Sequence, residues 1–204
     1  MHLYELSDGT LVPGVTTILS LLAKPQLIEW AWQQGLQGND IHAIKEEAAD
    51  IGTIAHGLIV RMLKGESIDL ESISENAKTP LKAFLKWREN KVIEPILIET
   101  SLVSHRYYYG GTLDFYGYIN NELVLCDWKT TNTVQNTFLI QTAAYRHLLI
   151  ENGYRDPSRV LVVRFDKNSI HFEEVSKENT DIEFEIFKRL AEMYHLLKEV
   201  GYDF

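Results

Sequence analysis

The chain has 204 residues, 45% of them hydrophobic and 24% charged, with a formal net charge of −9. Such a length suits one domain with a substantial core, no apolar run is long enough to span a bilayer, and the single cysteine, Cys126, excludes an internal disulfide or a four-cysteine iron–sulfur cluster. The negative charge argues against a protein that grips duplex DNA chiefly through its phosphates, because such proteins are usually basic.

Taken in chain order, residues 3 to 14 predict a short hairpin that turns at Ser7-Asp8-Gly9-Thr10. Pro13 to Leu19 predicts a short helix with a threonine N-cap, stopped by Pro25. A second helix, over roughly 26 to 34, ends at Gly35 and carries Trp30 and Trp32, read here as core residues rather than platforms for stacked bases. From Asp40, the residues Ile41, Ile44, Ala48, Ile51, Ala55, Leu58 and Met62 recur at helical spacing until Gly65. His56 lies beside this stripe, between Gly52 and Gly57. Each glycine costs a helix about 0.8–1 kcal/mol relative to alanine, which points to a close neighbour or a ligand.

Residues 66 to 77 read as a polar loop, and Thr79-Pro80 as the start of a helix. Its inner face is Leu81, Phe84, Leu85 and Arg88; its outer face, Lys78, Lys82, Lys86 and Lys91, either follows a phosphate backbone or is simply solvated. Ile96 to Val103 is the first core strand, and Glu99 interrupts its apolar run. That glutamate belongs either to a site or to a structural pair with a cation. Arg106 precedes Tyr107-Tyr108-Tyr109, residues that make good strands and, beside a cation, can also stack single-stranded bases.

Residues 110 to 129 predict a β-hairpin turning at Asn120-Asn121, a pair that tolerates the left-handed backbone of a tight turn. Ile119 then faces Glu122, and the register sets Asp114 opposite Asp127, with Cβ atoms roughly 4.5–5.5 Å apart. Alternation brings Lys129 to the face of Asp127 and sends Trp128 to the other. Leu123 to Cys126 make both faces of that strand apolar before the charges begin. A strand buried on both faces has no structural use for a carboxylate and an ammonium at its end. A divalent cation such as Mg²⁺ would turn the repulsion between the carboxylates into binding, and Lys129 could orient water or offset charge on a phosphate. The competing reading is a solvated pair worth about 0–1 kcal/mol.

After the polar stretch Thr130 to Thr133, a helix from about Asn136 to Ile150 sets Gln141 and Tyr145 on one face, with Arg146 and His147 beside them. Val160 to Phe165 is a buried strand, so the strand–helix–strand passage implies a parallel crossover. Ser169 to Val175 returns as its hairpin partner, and Thr180-Asp181-Ile182-Glu183 is a capping box for a last amphipathic helix.

Asp114, then Asp127-Trp128-Lys129, then Gln141 and Tyr145, resembles the PD-(D/E)XK nuclease superfamily, specifically its RecB-like branch, which includes phage-type exonucleases and the mitochondrial genome maintenance exonuclease. The resemblance implies an α/β, restriction-endonuclease-like core: a mixed central sheet flanked by helices, with an N-terminal helical extension. It implies one nuclease domain over residues 1–204, with a mainly helical part over 1–92 carrying His56 and the sheet core over 93–204 carrying Asp114, Asp127 and Lys129. It also implies that His56, in its Gly-Thr-x-x-His setting, joins Asp114, Asp127 and the Trp128 backbone carbonyl in holding one or two Mg²⁺ or Mn²⁺ ions. Lys129 and Glu99 are further site residues, and Gln141, Tyr145, Arg146 and Arg106 are candidates for contact with DNA.

The implied activity is a metal-dependent DNA exonuclease of phage-type replication, recombination or repair, acting on single strands or duplex ends, with recombination or replication proteins as further partners. A structure-specific, flap-type endonuclease and a non-cleaving recombination accessory protein on the same fold are the alternatives. The lone thiol suits a reducing compartment and Met1-His2-Leu3-Tyr4-Glu5 lacks the basic start of a signal peptide. A cytoplasmic protein without membrane contact is therefore expected, in the host cytosol if phage-encoded.

Overall fold

In chain order the elements are β1 (Leu3–Glu5), β2 (Leu11–Pro13), α1 (Val15–Leu19), α2 (Pro25–Leu36), α3 (Ile41–Leu63), α4 (Glu75–Arg88), β3 (Ile93–Ser104), β4 (Tyr109–Ile119), β5 (Glu122–Thr130), α5 (Asn136–Glu151), β6 (Arg159–Phe165), β7 (Phe172–Lys177) and α6 (Asp181–Glu199). This computed structural model describes residues 3–69, 71, 73–131 and 133–202, and of Ala48 the backbone alone. The place of the Ala48 side chain in the apolar stripe, Asn132 in the expected loop and the opening Met1-His2 fall outside what is described.

The hairpin at the centre folds as the asparagine pair dictates. Asn120 and Asn121 adopt φ of 52° and 65°, the conformation a two-residue turn of this kind needs, and Ile119 pairs with Glu122. The ladder runs back from there to Phe115↔Cys126. Five strands lie in the order β3-β4-β5-β6-β7. Every neighbouring pair is antiparallel except β5 and β6, which run parallel because α5 carries the chain across. The mixed α/β sheet expected of the chain is therefore present, with helices on both faces.

Those two faces explain why β5 is apolar from Leu123 to Cys126. Leu123 and Leu125 pack with Ile140, Leu148 and Phe187 under α1, α5 and α6. Val124, Cys126 and Trp128 pack on the opposite side with Leu58, Phe84 and Phe165 under α3 and α4. There the Trp87 and Trp128 rings meet edge-on with centroids 5.1 Å apart, an arrangement worth about 0.5–1.5 kcal/mol beyond the area it buries. Asp127 and Lys129 follow Leu125 in phase, on the α5 side.

Several expected boundaries differ. Pro25 begins α2 instead of only stopping α1, since proline costs nothing at a first helical position, and α1 ends earlier, with no threonine cap. Trp30 and Trp32 are not core: α2 buries no residue, and Trp32 is 64% exposed. Helix α4 starts at Glu75 and holds Pro80 in its interior, where burial of Ala77 and Leu81 sustains the earlier turn. Trp87, rather than Arg88, completes its inner face. The capping box at Thr180 does not form: its side chain caps no N–H, Glu183 is engaged by Lys177, and Asn179 Oδ1 instead accepts the Asp181 N–H at 2.8 Å. Strand β7 begins at Phe172, later than expected.

Candidate functional site

Four elements meet over the middle of β4. From α3, His56 reaches Glu99 Oε1 with Nδ1 at 2.7 Å and Asp114 Oδ2 with Nε2 at 3.0 Å. The same Asp114 oxygen accepts the Trp128 backbone N–H at 2.7 Å. One carboxylate thus joins β4, β5 and α3. The β4–β5 ladder stops one residue short of an Asp114–Asp127 rung; in its place Asp114 turns an oxygen onto the neighbouring strand. Ligand atoms of His56, Glu99 and Asp114 lie within 4.8 Å of one another, a spacing a metal ion can bridge.

Glu99 reaches this cluster through an irregular strand. Its φ is 47°, a left-handed conformation that costs an L-residue about 1–2 kcal/mol and that gathers at functional sites. The rung between Ile98↔Phe115 and Thr100↔Leu113 is correspondingly unpaired. Periodicity alone marks Glu99 only as an exception in an apolar run; the structure makes it a member of the cluster, 34% exposed at its side chain.

Asp127 stands apart from that trio. It is 1% exposed, and its Oδ2 lies 2.7 Å from Lys129 Nζ. Oδ1 is buried with no hydrogen-bond partner, and the Lys129 contact meets Oδ2 outside hydrogen-bonding geometry. A carboxylate so placed costs several kcal/mol unless a cation completes its shell. Burial raises the Asp127 carboxyl above its usual range, Lys129 working against this and the Asp114 charge adding to it. For Lys129, burial favours the neutral amine, but Asp127 and then Asp114 outweigh it, so the ammonium is held charged. Its Nζ also sits 5.3 Å from the centre of the Phe138 ring on α5. For His56, burial likewise opposes the charge, yet hydrogen bonds to Asp114 and then Glu99 push its pKa up to about 10. Without metal it is an imidazolium clamped between two carboxylates.

The donors suit a hard divalent cation: carboxylate oxygens, one imidazole, and a buried oxygen without a partner. The arrangement differs from the expected ligand set. His56 and Asp114 gather with Glu99, while Asp127 pairs with Lys129, and Trp128 contributes its N–H to Asp114.

Of the expected DNA-contacting residues, Gln141 and Tyr145 lie on α5, the helix on the Lys129 side of the sheet. Gln141 Nε2 donates to the Tyr145 hydroxyl at 2.8 Å, both residues being buried. Burial, followed by the Asp127 charge, holds the Tyr145 phenol well above its ordinary pKa. Gly111 admits that ring, since a Cβ there would fall 2.5 Å from Tyr145 Cε1. On the other side Gly52 lets α3 approach β5: its added Cβ would meet Thr130 Oγ1 at 3.2 Å.

Arg146 is not available to DNA. It grips both Asp156 carboxylate oxygens, at 2.6 and 2.8 Å, and the Glu178 carbonyl, tying α5 to the loops around β6 and β7. His147 stacks on Phe184 with ring centroids 3.9 Å apart and is likewise structural. Arg106 lies in the β3–β4 turn, 5.2 Å from the Tyr107 ring, about 17 Å of strand from Asp114. Sequence reading missed Arg164, which is buried, pairs with Glu173 and Asp166, and donates to the Thr131 carbonyl at 3.0 Å. That bond pins the chain leaving Lys129. An arginine inside an apolar strand was the one signal for it.

No protein-family model matches this chain, and no curated protein matches it. Among solved structures, the chain is similar to a protein from Eubacterium rectale provisionally described as an exonuclease, at 10% identity and a TM-score of 0.48, over 75% of this chain and 69% of that one. It is also similar to a protein titled SSO0001, at 16% identity and a TM-score of 0.43, over 85% and 71% of the two chains. An alkaline exonuclease from Laribacter hongkongensis, LHK-Exo, aligns at 14% identity with a TM-score of 0.36, over 72% and 79%. The case for the site accordingly rests on its own geometry.

Proposed function

We propose that this chain is a divalent-metal-dependent DNA exonuclease that hydrolyses phosphodiester bonds in DNA replication, recombination or repair. The observation that carries the reading is the clustering of His56, Glu99 and Asp114 ligand atoms beside the pair of a buried Asp127 with Lys129, the Asp127 Oδ1 having no hydrogen-bond partner among the described residues. That is a costly assembly with no structural purpose, at the strand position where the resemblance expects a nuclease centre.

In this reading His56, Glu99, Asp114 and Asp127, with the Trp128 carbonyl, hold one or two Mg²⁺ or Mn²⁺ ions. When bound, such an ion supplies Lewis-acid polarisation of the phosphate and acidifies water. As a ligand His56 would be the neutral imidazole, having released to solvent one of the two protons it shares with Glu99 and Asp114. Lys129, held charged by Asp127 and Asp114, cannot serve as a base at neutral pH. It donates hydrogen bonds, orienting the attacking water and offsetting charge that develops on the phosphate. Gln141 and Tyr145, bonded to each other, close the α5 side against bulk water.

The test is digestion of end-labelled linear DNA, single- and double-stranded, beside circular DNA, with Mg²⁺, Mn²⁺ or EDTA and with Asp127→Ala as control. Metal-dependent loss of linear DNA with circles spared, absent in the variant, is the expected result. Cut circles would move the reading to an endonuclease, and no cleavage with either metal would overturn it.

A further inference from the structure

Beside the candidate site lies a groove of about 1320 Å³ between α2, α3 and the segment joining β5 to α5. It meets the site where α3 touches β5. Ile51 and Thr131 line the groove, and their neighbours Gly52 and Thr130 are the contact at which helix and strand meet. Thr130 directly follows Lys129, so the groove opens at the end of the strand that carries the ammonium.

The lining is selective in chemistry. Lys24, Lys45 and Lys167 face it with Glu47 as the lining carboxylate, in a protein whose net charge is −9. Gln135 and Asn136 offer amides. Trp30, half-buried, lines the same space, and α2, which carries it, has no buried residue. Beside Leu27, Ile44 and Ile51 on that wall, the half-buried indole provides a stacking surface for a planar ring.

From this juxtaposition we propose that the groove binds single-stranded DNA, with Trp30 stacking on a base and the three lysines following its phosphates toward Lys129. The inference rests on the nuclease reading and goes beyond it by selecting the strand state. Paired bases in a duplex are already stacked and offer no face to Trp30, while a single strand does, and such stacking is worth enough to offset a sparse set of cations. Three lysines also neutralise too few phosphates to hold a duplex against the protein's negative charge.

The experiment is binding of fluorescein-labelled oligo(dT) and of a labelled duplex in EDTA, read by anisotropy, so that cleavage plays no part. Wild type is expected to bind the single strand more tightly than the duplex. Trp30→Ala should weaken single-strand binding by about 10-fold or more and leave duplex binding unchanged, Trp30→Phe should restore most of it, and Trp32→Ala should have no effect. Equal binding by wild type and Trp30→Ala, or tighter binding of the duplex, would overturn the proposal. Trp30-dependent binding by a protein that cleaves nothing would uphold the groove and remove the nuclease reading. Active cleavage with Trp30-independent binding would do the reverse.

Discussion

The two halves of the candidate site are built on different terms. The hairpin half is Asp127, buried, and Lys129, half-buried, both held by the parallel ladder to β6, where they pair with Val162 and Arg164. The other half, His56 and Glu99, is partly open to solvent and reaches Asp114 from a helix and from a residue in a left-handed conformation. Asp114 belongs to both, bonded to His56 on one side and to the Trp128 N–H on the other. The difference teaches that the buried half supplies fixed charge, at a desolvation cost, while the open half supplies ligands that can rearrange when a cation enters.

If that division holds, the largest effect belongs to the buried half. Lys129→Ala should lower cleavage by roughly 10²–10³-fold or more under single-turnover conditions, while far-UV circular dichroism and metal binding stay close to wild type. An undiminished rate would remove the lysine from the mechanism. Glu99→Gln tests the open half: it keeps the size and loses the charge, and is expected to weaken Mn²⁺ binding by about 10-fold, measured by calorimetry.

The open half should also carry a pH signature in the absence of metal. His56 titrates near 6.5 when unfolded and at about 10 in the fold. Its stabilising contribution is therefore complete below pH 6.5 and is lost as pH rises through 10. In EDTA the melting temperature should fall between pH 7 and pH 10.5, and His56→Gln should flatten that fall. An equally steep fall in the variant would show that the imidazolium clamp does not form. The smallest effect on function is expected outside both halves: Arg146→Ala should cost about 1.5–3 kcal/mol of stability through its charged hydrogen bonds, with DNA binding and cleavage unchanged.

Much of the buried half was legible in the sequence, because strand alternation and a two-residue turn leave little freedom. Once Ile119 faces Glu122, the faces of Asp127, Trp128 and Lys129 follow. The open half was legible only as isolated oddities. Glu99 enters through a backbone conformation that no periodicity encodes, and His56 depends on how α3 leans on β5 at Gly52. Arg146 read as a cation beside the site, but its partner Asp156 is brought to it only by the crossover into β6. Trp30 read as core because tryptophan usually is; nothing local announces that α2 buries none of its residues.

The most direct measurement is Mn²⁺ titration of wild type and of Asp114→Ala, because Asp114 is the one side chain common to both halves. The account predicts saturable binding by wild type and its loss in the variant, together with metal-dependent cleavage. Undiminished Mn²⁺ binding by Asp114→Ala would contradict a single centre built across β4, β5 and α3.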